Sequence, residues 1–179
     1  MDYKFKIMKT QSKDALIIRI NSSLENLKKD VDKAYHELLT YLAANNEFPG
    51  GYLFMIYNNK DVNNLDLEIG FPINRKFLGN QSISMGHTPG GYVLTCMHVG
   101  SYDSLNETYS SLEKYMTNYS LTPKGKYFEI YYNNPADTPI NDLITEVGAF
   151  LEEWEISHSS KNAPTSVIKS LIGVSAGLL

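Results

Sequence analysis

Apolar residues recur along this chain in two rhythms. Leu24, Leu27, Val31, Ala34, Leu38 and Leu42 follow steps of three and four, which places them along one face of a helix. Leu105, Tyr109, Leu112, Met116 and Tyr119 repeat that spacing in the second half. Ser22-x-x-Glu25 and Ser104-x-x-Glu107 read as capping boxes opening the two helices, because a serine hydroxyl and a glutamate can satisfy N–H groups that a first turn leaves free. Pro49-Gly50-Gly51 and Pro123-Lys124-Gly125 read as the stops. Between them lie short runs rich in branched and aromatic residues, "ALIIRI", "YLFMIY", "LDLEIGF", "YVLTCMHV", "YFEIYY" and "LITEVGAF", which predict strands. Each half thus reads strand, helix, strand, strand. The expected fold is α+β: a mostly antiparallel sheet with both helices packed on one face.

The two halves are copies. Adding 74 to each number from Tyr35 to Asn59 gives nine identities in 25 positions, among them Tyr35 with Tyr109, Phe54 with Phe128 and Tyr57 with Tyr131. Ordinary residue usage gives roughly one or two. A shift of 78 then sets Glu68-Ile69-Gly70 on Glu146-Val147-Gly148. Two β-α-β-β repeats related by an approximate twofold leave a groove at their seam, a common setting for small-molecule sites. Along the strand "YFEIYY" alternate side chains share a face, so Glu129 travels with Tyr127 and Tyr131, while Phe128, Ile130 and Tyr132 point the other way. In the first copy Met55 stands where Glu129 does, so the scaffold itself does not require an acid there. The carboxylate serves either a function or a private salt bridge, for instance with Lys126.

Composition narrows the function classes. With 179 residues, 42% hydrophobic and 20% charged, the chain suits one compact domain, taken as residues 1–154. A net charge of −4 gives no general attraction to phosphate backbones or anionic lipid, so neither nucleic acid nor a membrane is an expected partner. The single cysteine, Cys96, lies in an apolar strand, and the N-terminus lacks a continuous apolar core; both suit a reducing cytoplasm. Thirteen tyrosines signal a large core or an aromatic-lined pocket. His36, expected on a helix surface, His87, His98 at a strand end and His158 have no metal-ligand spacing. No nucleophile elbow, P-loop or dinucleotide fingerprint occurs, so neither a metal nor a cofactor is expected. The tail, residues 155–179, reads as a linker and then 13 apolar-rich residues, "VIKSLIGVSAGLL". These are fewer than the ~20 that span a bilayer and suit a short helix packing on a partner subunit or on the groove.

Three segments, "LEIGFPI" at 67–73, "TPGGYVLTCMHVGSYDSL" at 88–105 and "FEIYYNNPADTP" at 128–139, resemble in order the motifs of the GyrI-like small-molecule-binding family, the effector-binding domain of AraC- and MerR-type multidrug regulators. The resemblance runs from about residue 3 to about residue 154. It implies a groove lined with aromatics and closed at its base by a glutamate, which falls on Glu129, with Tyr102 of Gly100-Ser101-Tyr102 as a further groove residue. It also suggests the stand-alone branch, in which drug sequestration, modulation of DNA gyrase and hydrolysis of cyclopropane-bearing cytotoxins are ascribed to different members. The candidate ligand set is Glu129, Tyr127, Tyr131, Tyr102, Met55, Phe71 and Trp154. Met55 reads more readily as core than as a ligand contact, Phe71 is as ambiguous, and Trp154 can simply cap the sheet edge. The expected ligand is a bulky small molecule, either a lipophilic cation or a polar aromatic compound, since a carboxylate between ring faces attracts a cation or a donor-bearing ring. Hydrolysis would use Glu129 as base and Tyr131 or Tyr102 as proton donor. Monomer and homodimer both stay open.

Overall fold

The two helices end in the same way, and that shared ending carries the duplication into three dimensions. In the computed structural model, which describes residues 3–152, α1 (Leu27–Ala44) and α2 (Leu105–Asn118) are followed by cap residues Asn45 and Tyr119. Asn46 and Ser120 then turn left-handed, each at φ 53°. The Glu47 N–H bonds the Leu42 carbonyl at 3.0 Å, and its counterpart, the Leu121 N–H, bonds the Met116 carbonyl at 2.8 Å. This is the Schellman ending, here without the usual glycine. Both helices therefore stop before their proline–glycine segments.

The N-terminal ends also differ from the capping boxes expected. Ser22 is the last residue of β2, and its hydroxyl reaches Asp30 Oδ2 at 2.6 Å. The helix starts only at Leu27, with Asn26 as N-cap and no side-chain cap bond. Ser104 is the N-cap of α2, but its hydroxyl bonds the Ser101 carbonyl at 2.7 Å instead. Neither serine hydroxyl accepts from a helix N–H: four residues separate Ser22 from α1, where it meets only the Asp30 side chain, and Ser104 bonds back into the turn that precedes α2.

Eight strands form one antiparallel sheet: β1 (Lys6–Thr10), β2 (Asp14–Ser22), β3 (Leu53–Tyr57), β4 (Leu65–Pro72), β5 (Ile83–His87), β6 (Gly91–Val99), β7 (Pro123–Tyr131) and β8 (Ile144–Leu151), in the order β1-β6-β8-β7-β3-β4-β2-β5. The six strands expected from the sequence are present. β1 and β5 are additions, and each lies outside the opening strand of the opposite repeat. In a flat sheet β1 and β2 would stand roughly 29 Å apart. The three residues joining Thr10 to Asp14 reach about 15 Å. The sheet must curl so that its ends approach.

Curling explains why the strand sequences are apolar on both faces. On one face α1 covers Leu16, Ile18, Leu67 and Ile69, and α2 covers Leu94, Cys96 and Val147. On the other, Ala15, Ile17, Phe54, Ile56, Val93 and Phe128 form a third core without a helix. Burial pushes the Cys96 thiol up to about 12, so it behaves as a small apolar side chain.

Two glycines let that third core close. Phe54 faces Gly70 on β4, and Phe128 faces Gly148 on β8. A Cβ on Gly148 would fall 2.2 Å from Phe128 Cζ, and one on Gly70 2.8 Å from Phe54 Cζ. Gly148→Ala should accordingly cost about 1–3 kcal/mol by overpacking, read as a lower urea midpoint at unchanged slope. An unchanged midpoint would mean that the ring moves aside freely.

Candidate functional site

β3 and β7, the central strands, pair across the pseudo-twofold with Leu53 opposite Tyr131, Met55 opposite Glu129 and Tyr57 opposite Tyr127. The 74-residue shift exchanges the outer two pairs and maps Met55 and Glu129 onto each other. The one methionine-for-glutamate difference thus lies on the symmetry axis itself. These side chains share the helix-bearing face, while Phe128 and Ile130 join the opposite core. The helices flank the pair and leave a groove of about 1710 Å³ above it. That exceeds the roughly 300–1,000 Å³ of ordinary ligand pockets, so it has room for a multi-ring molecule.

Glu129 lies at the floor, 2% exposed. The Tyr109 hydroxyl donates to its Oε1 at 2.6 Å, the Tyr131 hydroxyl donates to Oε2, and Tyr57 lies close enough to act on the same carboxylate. Its partners are phenols, not a lysine. Lys126 is exposed on the opposite face of the strand and acts on Asp66, so the private salt bridge with it does not form. Burial raises the Glu129 carboxyl above the ordinary carboxylate range; the hydroxyls of Tyr109, Tyr131 and Tyr57 oppose that rise without cancelling it. Burial, reinforced by the Glu129 charge, holds Tyr57, Tyr109 and Tyr131 well above the usual phenol value, so they remain neutral donors.

The rings are arranged edge to face. Tyr109 stands 5.9 Å from Tyr127 and 6.5 Å from Tyr57, both T-shaped, and Tyr102 meets Tyr131 at 5.5 Å in the same manner. Tyr102 is positioned by a polar cluster beneath the start of α2. His98, fully buried near the end of β6, donates through Nε2 to the Ser101 carbonyl at 3.0 Å and has Nδ1 2.7 Å from the Thr108 hydroxyl. Those bonds tie the short turn Tyr102–Ser104 to the sheet.

Of the residues expected from the sequence, Glu129, Tyr127, Tyr131, Tyr102, Met55 and Phe71 all line this groove. Met55, 2% exposed, serves as floor and core together, and Phe71 packs 5.9 Å from the Tyr35 ring. Trp154 and the tail lie outside the described residues. Tyr57 and Tyr109, both in reach of the carboxylate, were not foreseen as site residues. Tyr109 falls on the apolar stripe of α2 and reads as core. The signal that finds both is the repeat, since Tyr35 matches Tyr109 and Tyr57 matches Tyr131. Among the groove-lining side chains, Asp32, Asp103, Glu113, Glu129 and Asp137 outnumber Lys28 and Lys60, which gives the opening a negative bias. Among the described residues no cluster of histidine, cysteine and acidic side chains could hold a metal ion, and no helix is long and apolar enough to cross a membrane.

Several known proteins share this architecture. The C-terminal domain of EcmrR superposes with a TM-score of 0.67 at 17% identity, covering 85% of this chain and 99% of that one. EcmrR in complex with DNA gives 0.70 at 18%, covering 84% of this chain, which spans 57% of the longer EcmrR chain. SAV2435 bound to tetraphenylphosphonium gives 0.61 at 13%, covering 88% and 98%, and a hydrolase from Listeria innocua gives 0.62 at 12%, covering 83% and 92%. At these identities the likeness establishes the fold alone. No functionally curated protein matches the chain significantly. The sequence model of the GyrI-like small molecule binding domain matches residues 5–148, and with the duplicated fold and its groove this places the chain in the GyrI-like small-molecule-binding family.

Proposed function

We propose that this protein binds bulky lipophilic cations in the groove, with Glu129 as the charged anchor and the tyrosine rings as walls. One observation carries the reading: a nearly inaccessible carboxylate, raised by burial and held by phenols instead of a cation, at the floor of a wide ring-lined groove. An ionised carboxylate so placed lacks a full counter-charge, and a ligand cation would supply it. The ring faces add about 0.5–2 kcal/mol each where a cation lies over them. SAV2435, of the same fold, is known with tetraphenylphosphonium bound. The role that fits is sequestration or sensing of cytotoxic compounds.

Calorimetric titration with tetraphenylphosphonium tests this, because the ligand is permanently charged and its own protonation cannot confuse the result. Binding in the micromolar range, about −8 kcal/mol, is expected, with a matching rise in thermal stability by mass action. Absence of binding at about 1 mM would contradict it, since that leaves less than about −4 kcal/mol.

A second reading rests on the pairing of Glu129 with Tyr131 and on the Listeria hydrolase of the same fold. Glu129 would take the proton of a water that adds to a cyclopropane carbon conjugated with a carbonyl, and the electron pair of the breaking ring bond would pass to the carbonyl oxygen. A phenol O–H would protonate that oxyanion and regain its proton from Glu129. On this reading Tyr131→Phe lowers turnover of an activated cyclopropane about 100-fold and leaves ligand affinity within about threefold. Mass spectrometry of the water adduct decides it, and no adduct above buffer would retire the enzyme.

A further inference from the structure

At the end of the groove beside β7, a cation is already seated. Lys60, in the loop between β3 and β4, places its Nζ 4.4 Å from the centre of the Tyr127 ring and 2.7 Å from Glu113 Oε1 on α2. Tyr127 is 3% exposed, and its buried hydroxyl has no hydrogen-bond partner among the described residues. The ring face and the carboxylate are the two halves of an ammonium site, and a side chain of the protein occupies it. Among the described residues the opposite end of the groove has no such pair. Under the 74-residue shift Glu113, Tyr127 and Lys60 fall on Leu39, Leu53 and Asn134, so the scaffold does not demand the arrangement.

The occupant is held weakly. Lys60 and Glu113 side chains are 56% and 52% exposed, and ion pairs in such positions contribute about 0–1 kcal/mol. Its ring contact adds about 0.5–1 kcal/mol at a site this open. A ligand cation that brings its own apolar surface can displace it and release the ammonium into water. Glu113 stands one helical turn from Tyr109, whose hydroxyl touches Glu129, so the two carboxylates lie on the order of 10 Å apart.

We infer that Glu113 and the Tyr127 ring form a second cation subsite, blocked by Lys60 in the unliganded protein, and that the groove prefers elongated dications whose charges are separated by about 10 Å. This rests on the proposed role of Glu129 as the first anchor. The preference is self-limiting: a monocation fills the floor and leaves Lys60 in place, whereas a dication must expel it.

Affinities of a hexane-bridged bis(triphenylphosphonium) and of hexyltriphenylphosphonium, measured by calorimetry at about 0.15 M salt, test this. The dication should bind the wild-type protein about tenfold more tightly than the monocation, beyond the roughly twofold that two identical heads give by statistics. Lys60→Ala should raise the dication's affinity a further threefold or more, by about 0.7 kcal/mol, and leave the monocation within about twofold. Glu113→Gln should abolish the dication's advantage. Both positions are half-exposed, so either variant should keep the fold. Equal affinities for the two ligands, unmoved by Lys60→Ala and Glu113→Gln while Glu129→Gln still removes monocation binding, would overturn the second subsite and spare the first. Failure of both ligands to bind, or indifference of both to Glu129→Gln, would overturn the parent reading as well.

Discussion

Glu129→Gln should weaken tetraphenylphosphonium binding by about 30- to 100-fold, roughly 2–3 kcal/mol, while the unliganded protein becomes no less stable. The loss follows from removing the charge that a desolvated cation would meet at the groove floor. The second half of the expectation is the more discriminating. In the native protein Glu129 is 2% exposed, and burial raises its carboxyl above the ordinary range despite the hydroxyls of Tyr109, Tyr131 and Tyr57. Ionising it at neutral pH therefore works against folding. Glutamine keeps the shape and one acceptor oxygen, and its amide can donate to a phenol that rotates to accept. A melting temperature that holds or rises by a few degrees, together with lost affinity, marks a residue retained for binding at the expense of stability. Lost affinity with a collapse in melting temperature would instead mark a structural carboxylate.

The second large effect is on pH. Because Glu129 titrates above the unfolded value of about 4.3, its contribution to folding is fully present below that value and is lost as pH rises through its folded value. Cation binding has the opposite slope, since the ligand needs the ionised form. Affinity for tetraphenylphosphonium should fall about tenfold per pH unit once the medium is more acidic than the folded value, and level off above it. Asp66 and Glu47 confuse a single stability curve. Hydrogen bonds from Arg19 and Arg75 hold them below the ordinary range, so their contribution disappears as pH falls through their folded values. Glu129→Gln carries both groups unchanged, so the difference between its curve and the wild-type curve isolates Glu129. Parallel affinity curves for the two proteins between about pH 5 and about pH 8 would show that the carboxylate does not govern binding.

Much of this was legible from residues whose pattern has one dominant cause. Six strands and two helices follow from apolar periodicity, and the duplication from identities such as Phe54 with Phe128. Glu129 emerged because Met55 occupies the matching place, and the pairing across the axis confirms that the two are equivalent. Where the pattern had competing causes it misled. "KIMKT" and "ISMGH" form β1 and β5, yet each strand buries a single residue, Ile7 and Ile83, too little for an alternating signal. The capping boxes failed because four residues separate Ser22 from the start of α1 and because the Ser104 hydroxyl bonds the turn before α2. Tyr109 is ambiguous in the same way, since a ring on an apolar stripe fills a core as readily as it walls a groove. The Lys60 contact joins a loop to a helix 53 residues away, which no local pattern encodes.

NMR of isotope-labelled glutamate, following the Glu129 carboxyl through a pH titration with and without tetraphenylphosphonium, reaches the centre of the matter. The free protein should show this carboxyl titrating above every exposed glutamate, and saturation with the cation should lower its midpoint by at least about one unit, as a charge in contact requires. An ordinary midpoint that the cation leaves unmoved would contradict a buried carboxylate awaiting its counter-charge.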